Sequence, residues 1–175
     1  MQIEQYNSQF SAWFASKEIR HGIDESVALL IDAKRIFFLG NGGSNSISSH
    51  MMEDYGKICG YQTFAFSDAA LITCYANDYG YENAMAEWLK LHFQKDDILI
   101  ATSSSGESKN IVNAAGVALE KEGRVISLTG FEPQNTLSKM GSVNFHLGVK
   151  NYGMVECFHQ VILHIILDSL PKIKA

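Results

Sequence analysis

The side chains that could do chemistry in this 175-residue sequence stand in two pairs and two loops. His50 and Asp54 are four residues apart, with Glu53 beside them. On a helix, i and i+4 project from one face and i+3 lies near it. Towards the end of the chain Glu156 and His164 are eight residues apart, about 80° around a helix axis but about 12 Å along it. They share a side, and holding one small ion between them would require both side chains to reach inward. Imidazole plus carboxylate suits proton shuttling or binding zinc or a similar metal. His164, inside Val-Ile-Leu-His-Ile-Ile-Leu, equally fits a core histidine with a satisfied partner. His159 and Gln160 add polar groups to that apolar helix, as expected where a helix packs in an oligomer and its polar groups find partners there. His21 sits in a polar setting and is expected at the surface.

The first loop follows Ile36–Leu39, a compact apolar run that reads as a buried strand. Gly40, Gly42 and Gly43 turn the chain, and Ser44 opens a helix. Strand, glycine turn and helix N-terminus form an anion site from backbone N–H groups and the helix dipole. It is no dinucleotide fingerprint: Asn45 stands where the third glycine belongs, and no P-loop lysine follows. The second loop, Thr102-Ser-Ser-Ser-Gly-Glu-Ser108, puts five hydroxyls and a glycine between a strand and a helix. Such a loop can surround a phosphate dianion without a fixed cation. Serines also serve as ordinary N-caps, but two hydroxyl-rich loops in one sheet favour the phosphate.

The elements that must position these groups follow from periodicity. Residues 1–33 show two apolar helical patches, Phe10, Trp13 and Phe14, then Ile23, Val27, Leu30 and Ile31, with a break or kink expected at Gly22. Strands are expected at Arg35–Leu39, Gln62–Phe66, Ile98–Thr102, Arg124–Thr129 and Val143–Leu147. Helices are expected at Ser44–Gly56, Ala69–Tyr75, Glu82–Phe93, Asn110–Lys121, Asn135–Met140 (short) and Met154–Leu170, with 76–80 a loop. Strands alternating with helices indicate an α/β fold with a mainly parallel sheet. Right-handed crossovers place the loops after the strands on one edge, where such sheets bind ligands.

Composition narrows the function. With 46% hydrophobic and 19% charged residues the chain suits a single domain with a sizeable core. A net charge of -5 without a basic cluster argues against nucleic-acid binding. The longest apolar run, Val161–Leu167, is too short for a bilayer span. Cys59, Cys74 and Cys157 show no CxxC spacing, which fits a reducing cytoplasm.

Gly40-Asn-Gly-Gly-Ser44, Asn77-Asp-Tyr-Gly80, Ser103-Ser-Ser-Gly-Glu-Ser108 and Leu128-Thr-Gly130, in that order, resemble the sugar isomerase (SIS) domain family, and within it the phosphoheptose isomerases. The resemblance implies a single SIS domain over residues 1–175, a flavodoxin-like three-layer αβα sandwich on a five-stranded sheet. Residues 1–33 would contribute to oligomer packing and 34–175 would form the core. It implies a homotetramer with active sites between subunits that isomerises sedoheptulose 7-phosphate to D-glycero-D-manno-heptose 7-phosphate for lipopolysaccharide or capsule heptose. By position, Ser44, Ser103, Ser104, Ser105 and Ser108, with Gly42 and Gly43, would bind phosphate and sugar, and Asn41 and Asp78 would contact the sugar. Asp54 and His164 fall on the catalytic glutamate and histidine, with Glu156 a further candidate base. His50, Asp54, Glu156 and His164 fall on a divalent-metal site, zinc in some members. The chain departs from the pattern: the glutamate is shortened to Asp54, a metal-site glutamine is replaced by Glu156, Lys57 is the nearest counterpart of an expected arginine, and Gly153 stands in an aspartate's place. A non-catalytic phosphosugar-binding or replication-initiator-binding regulator, or an isomerase of another sugar phosphate, would keep the same serine loops.

Overall fold

A computed structural model describes residues 2–173. Helices α1 (Gln2–Phe14) and α2 (Lys17–Ile31) precede β1 (Arg35–Leu39), α3 (Gly43–Cys59), β2 (Gln62–Ala65), α4 (Ala69–Tyr79), α5 (Tyr81–His92) and β3 (Ile98–Ser103). Then come α6 (Lys109–Glu120), β4 (Arg124–Gly130), a single 3-10 turn (Leu137–Lys139), β5 (Val143–Leu147) and α7 (Tyr152–Ser169). All four strand pairings are parallel, in the order β2-β1-β3-β4-β5.

Strand alternation builds the three layers. Ile36, Phe38, Ile98, Ile100, Ile126, Leu128 and Phe145 face a core shared with α2, α3 and α7. Phe37, Leu39, Leu99, Ala101 and Val125 face a second core under α5 and α6. Both faces of the central strands are covered, which is why they read as continuous apolar runs rather than alternating ones. Successive connections from β1 and β3 therefore leave on opposite faces. Between them lies the switch point where ligands bind in such sheets.

Two expectations about breaks are corrected. Gly22 lies within α2, and the chain breaks instead at Ser16, whose hydroxyl caps α2 by accepting from Ile19 N at 3.3 Å. Gly22 serves packing: a Cβ there would stand 3.0 Å from the Phe145 ring. The expected loop at 76–80 is helical up to Tyr79. Asn and Asp are turn formers, but they are tolerated in a last helical turn. The break needs only Gly80, whose φ of +76° ends α4 and whose carbonyl starts α5. The predicted short helix at Asn135–Met140 shrinks to the 3-10 turn.

His159 carries a pH prediction. It is fully buried; its Nε2 lies 3.1 Å from Thr129 O, and its Nδ1 has no partner among the described residues. Burial pushes its pKa down from 6.5 to about 4, and burial lowers that of His146 in the same direction. Below pH 6.5 the unfolded chain takes up a proton that the folded chain refuses until about pH 4. Stability should therefore fall as pH drops through that window, by on the order of 3 kcal/mol for His159 in full. Urea midpoints at pH 7 and pH 5 should show the fall, and His159→Gln should flatten it. An equal slope in the variant would count against this assignment.

Candidate active site at the switch point of the sheet

The serine loop is built by local hydrogen bonding. β3 ends at Ser103, and Ser108 precedes the first turn of α6. Gly106 takes φ +66°, and its N–H donates to both the carbonyl and the hydroxyl of Ser103, at 3.0 and 3.2 Å. The Ser103 hydroxyl donates to that of Ser108 at 3.2 Å, and Glu107 N donates to Ser105 Oγ at 3.2 Å. The loop after β4 buttresses it from outside. Glu107 accepts from Thr136 N and Oγ1 at 2.7 and 2.8 Å, which lowers its pKa, and Leu137 N donates to Gly106 O.

The glycine loop faces it. Gly42 takes φ +55° before α3, and a Cβ on Gly40 would run into the backbone of Ser44. Asn41 ties the glycine loop to α6 and α5. Its amide donates to Asn110 Oδ1 at 2.9 Å, and its carbonyl accepts from Asn110 at 2.8 Å and from the Tyr81 hydroxyl at 2.8 Å. Asn41 lines the cavity, yet its carboxamide is engaged in holding the glycine loop to α6 and α5.

Asn41, Ser44, Thr102, Ser103, Ser104, Ser105, Ser108, Tyr152 and Glu156 enclose a cavity of about 180 Å³. No lysine or arginine lines it. Hydroxyls, backbone N–H groups and the N-terminus of α6 supply the positive potential, as a phosphate requires. Next to it opens a cavity of about 350 Å³ lined by Gly43, Ser46, Ile47, His50, Gly153, Glu156, Cys157 and Gln160. Glu156 alone lines both. Its carboxylate packs where a Cβ on Gly43 would sit, against the first turn of α3, so Gly43 makes room for it. A larger cavity, about 640 Å³, opens at the other end of the strands around Arg35 and Asp97 and holds none of the predicted site residues.

One to two turns along α3 and α7 lies the titratable group. His50 Nε2 is 3.2 Å from Asp54 Oδ2, and the rings of His50 and His164 meet edge-on with centroids 5.2 Å apart. His50, Asp54 and His164 each offer a ligand atom within 4.8 Å of the others. Two imidazoles and a carboxylate at that spacing fit a divalent cation. Glu156 stands outside that group, because eight residues along α7 separate it from His164. His164 is half-buried beside His50 rather than enclosed in the core.

Other expected residues fall elsewhere. Glu53 pairs with Lys57 at 3.6 Å on the exposed side of α3, which removes both from the group around His50. Asp78 is exposed in the last turn of α4, where its carboxylate accepts from Asn77 at 2.9 Å, and it lines neither cavity. Three contributors were not singled out in the sequence as site residues. Gln160 Nε2 meets His50 Nδ1 at 3.0 Å, Tyr152 walls the serine cavity, and Asn110 anchors Asn41. The i, i+4 spacing of Tyr152, Glu156 and Gln160 was the available signal.

Comparison with known proteins gives the family and the fold. The model of the SIS domain matches residues 3–130, which takes in both loops, His50 and Asp54 but ends before α7. The chain is 31% identical to a phosphoheptose isomerase of Enterobacter sp. (strain 638), over 87% of this chain and 84% of that one. It is 31% identical to that of Proteus mirabilis (strain HI4320), over 86% and 83%. A solved phosphoheptose isomerase structure from Francisella tularensis superposes with a TM-score of 0.79 at 25% identity, covering 96% of this chain and 97% of that one. One from Neisseria gonorrhoeae gives 0.78 at 22%, covering 97% and 98%, and speaks for the fold.

Proposed function

The chain belongs to the SIS domain family, and from that premise we propose that it is a phosphosugar aldose–ketose isomerase that converts sedoheptulose 7-phosphate to D-glycero-D-manno-heptose 7-phosphate for heptose biosynthesis. The single observation that supports this best is the continuity of the site. A cation-free serine cradle opens, at Glu156, onto a cavity that reaches His50. The relatives of 31% identity carry the same activity in their names.

The phosphate sits against Ser103–Ser108 and the N-terminus of α6, with Ser44 opposite. Phosphate binding fixes the open-chain sugar so that its carbonyl end runs past Glu156 towards His50. Asp54 or Glu156 removes a proton from the carbon next to the carbonyl, giving a cis-enediol, and returns it at the neighbouring carbon. His164 passes the second proton between the two oxygens. No electron acceptor or co-reactant is needed, because the carbon oxidised and the carbon reduced are neighbours in one molecule. His50, Asp54 and His164 would hold a divalent cation, zinc by donor type, with Glu156 added only if its side chain swings down α7 or comes from another subunit. Such an ion would supply polarisation of the carbonyl. Gln160 meets His50 Nδ1 at 3.0 Å, which fixes the imidazole's orientation and turns its Nε2 towards Asp54.

A homotetramer with sites between subunits fits the surface: α1 exposes Ile3 and Phe14, and α4 is apolar yet buries none of its residues in the single chain. No helix among the described residues is long and apolar enough to cross a membrane; a cytoplasmic location is part of the proposal.

The test is incubation with a panel of ketose phosphates in deuterated water. Deuterium should appear at C1 or C2, fastest for sedoheptulose 7-phosphate. Binding without exchange would make the protein a phosphosugar-binding regulator, and a faster hexose or pentose phosphate would replace the substrate.

A further inference from the structure

Tyr152 is the one aromatic side chain lining the serine cavity, and neither the loop motifs nor the titratable group accounts for it. It is the first residue of α7 and is 64% exposed. Its ring is nevertheless held in place. Phe131, just past β4, meets it edge-on with centroids 4.9 Å apart and planes at 78°. Phe131 takes φ +57°, a left-handed conformation uncommon for a residue other than glycine, which is kept only where surroundings enforce it. On either side of this pair, Glu132 and Lys150 join the two loops through a 2.6 Å ion pair. Two rings and an ion pair thus clasp the loop after β4 to the loop before α7.

The position of the ring indicates its use. Serine hydroxyls and backbone N–H groups offer only donors and acceptors, which suits a phosphate. A sugar's carbon chain presents C–H faces besides its hydroxyls, and those faces gain from an aromatic surface rather than from serine hydroxyls. Tyr152 provides that surface in the wall of the serine cavity, one helical turn before Glu156, which opens that cavity towards the reacting end. Aromatic side chains in such clefts orient ligands that a few polar groups anchor.

We propose that the Tyr152 ring, backed by Phe131, is the wall against which the carbon chain of the sugar phosphate lies, and so a specificity-determining residue that separates chain-bearing phosphates from phosphate alone. This rests on the reading of the cavity as a sugar phosphate site.

The test is calorimetric titration of the full-length protein with sedoheptulose 7-phosphate and, separately, with inorganic phosphate. Tyr152→Ala should weaken the sugar phosphate about tenfold, in keeping with an aromatic contact, and leave inorganic phosphate within about twofold. Tyr152→Phe should retain both affinities, because the phenol hydroxyl makes no hydrogen bond among the described residues. Equal weakening of both ligands by Tyr152→Ala would mean that the residue only supports the loops and would overturn the proposal. So would an unchanged sugar phosphate affinity, or loss in Tyr152→Phe as large as in Tyr152→Ala. A wild-type protein that binds the sugar phosphate but exchanges no deuterium refutes the isomerase reading and leaves this wall standing. A wild-type protein that binds no sugar phosphate refutes both.

Discussion

Replacing His164 by alanine should lower kcat by about 10²–10⁴, and Asp54→Ala should do the same, the range expected for loss of a positioned acid or base. The protein should remain folded in both variants. His164 and Asp54 are half-buried and contact His50 at the rim of α3 and α7, outside the two apolar cores. Removing either leaves no apolar void and strands no buried charge. KM should change far less than kcat, because the proposed phosphate cradle at Ser103–Ser108 is away from both residues. Glu156→Gln decides between the two carboxylates. It keeps the shape beside Gly43 and removes the ability to accept a proton. If Asp54 is the base, Glu156→Gln remains active and Asp54→Asn does not; if Glu156 is the base, the order reverses. Rates unchanged in both His164→Ala and Asp54→Ala would sink the assignment of this group to the chemistry.

Gly106→Ala should remove phosphate binding and destabilise the fold. Gly106 takes φ +66°, and a Cβ there would overlap the side chain of Asn135. Asn135 cannot give way freely. It is buried, its carbonyl oxygen accepts from Ser138 N at 2.9 Å, and its amide donates to Glu132 O at 2.7 Å. Left-handed backbone for alanine plus one buried hydrogen bond lost together cost roughly 2–4 kcal/mol. The loop can avoid this by changing shape, which moves the N–H groups of the proposed phosphate cradle. Urea denaturation and titration with sedoheptulose 7-phosphate check both effects. Asn135→Gly in the same chain relieves the overlap but not the backbone conformation, so the double variant should recover only part of the loss. Wild-type affinity in Gly106→Ala would show that the loop is not the phosphate cradle.

Much of the fold was legible because its signals are local. Five strand-like runs of five or six residues, each followed by a hydroxyl- or glycine-bearing turn and a helical segment, can be arranged in few ways other than a parallel sheet with covered faces. Boundaries failed where a residue's usual preference was outweighed. Gly22 reads as a breaker but packs under Phe145, and Asn77 and Asp78 read as turn formers but finish α4. Inclusion in the site was less legible. Glu53 is closer in sequence to His50 than Asp54 is, and only the direction of its side chain, towards Lys57, separates them.

The sequence by itself determined the order of strands and helices, the two phosphate-type loops, and the pairing of His50 with Asp54. Each depends on residues within a few positions of one another, where backbone preference and helical spacing act directly. Only the tertiary structure decided how α7 lies across α3. That crossing sets Glu156 against Gly43 between the two cavities, brings His164 and Gln160 to His50, and turns Tyr152 to the serine loop. The contacts between α7 and α3 join residues more than a hundred positions apart, and they follow from how both helices pack on β1, β3 and β4 through Ile47, Met51, Phe158 and Ile162. Apolar side chains of that kind fix a crossing by shape, and shape complementarity between distant helices is not written in the periodicity of either one.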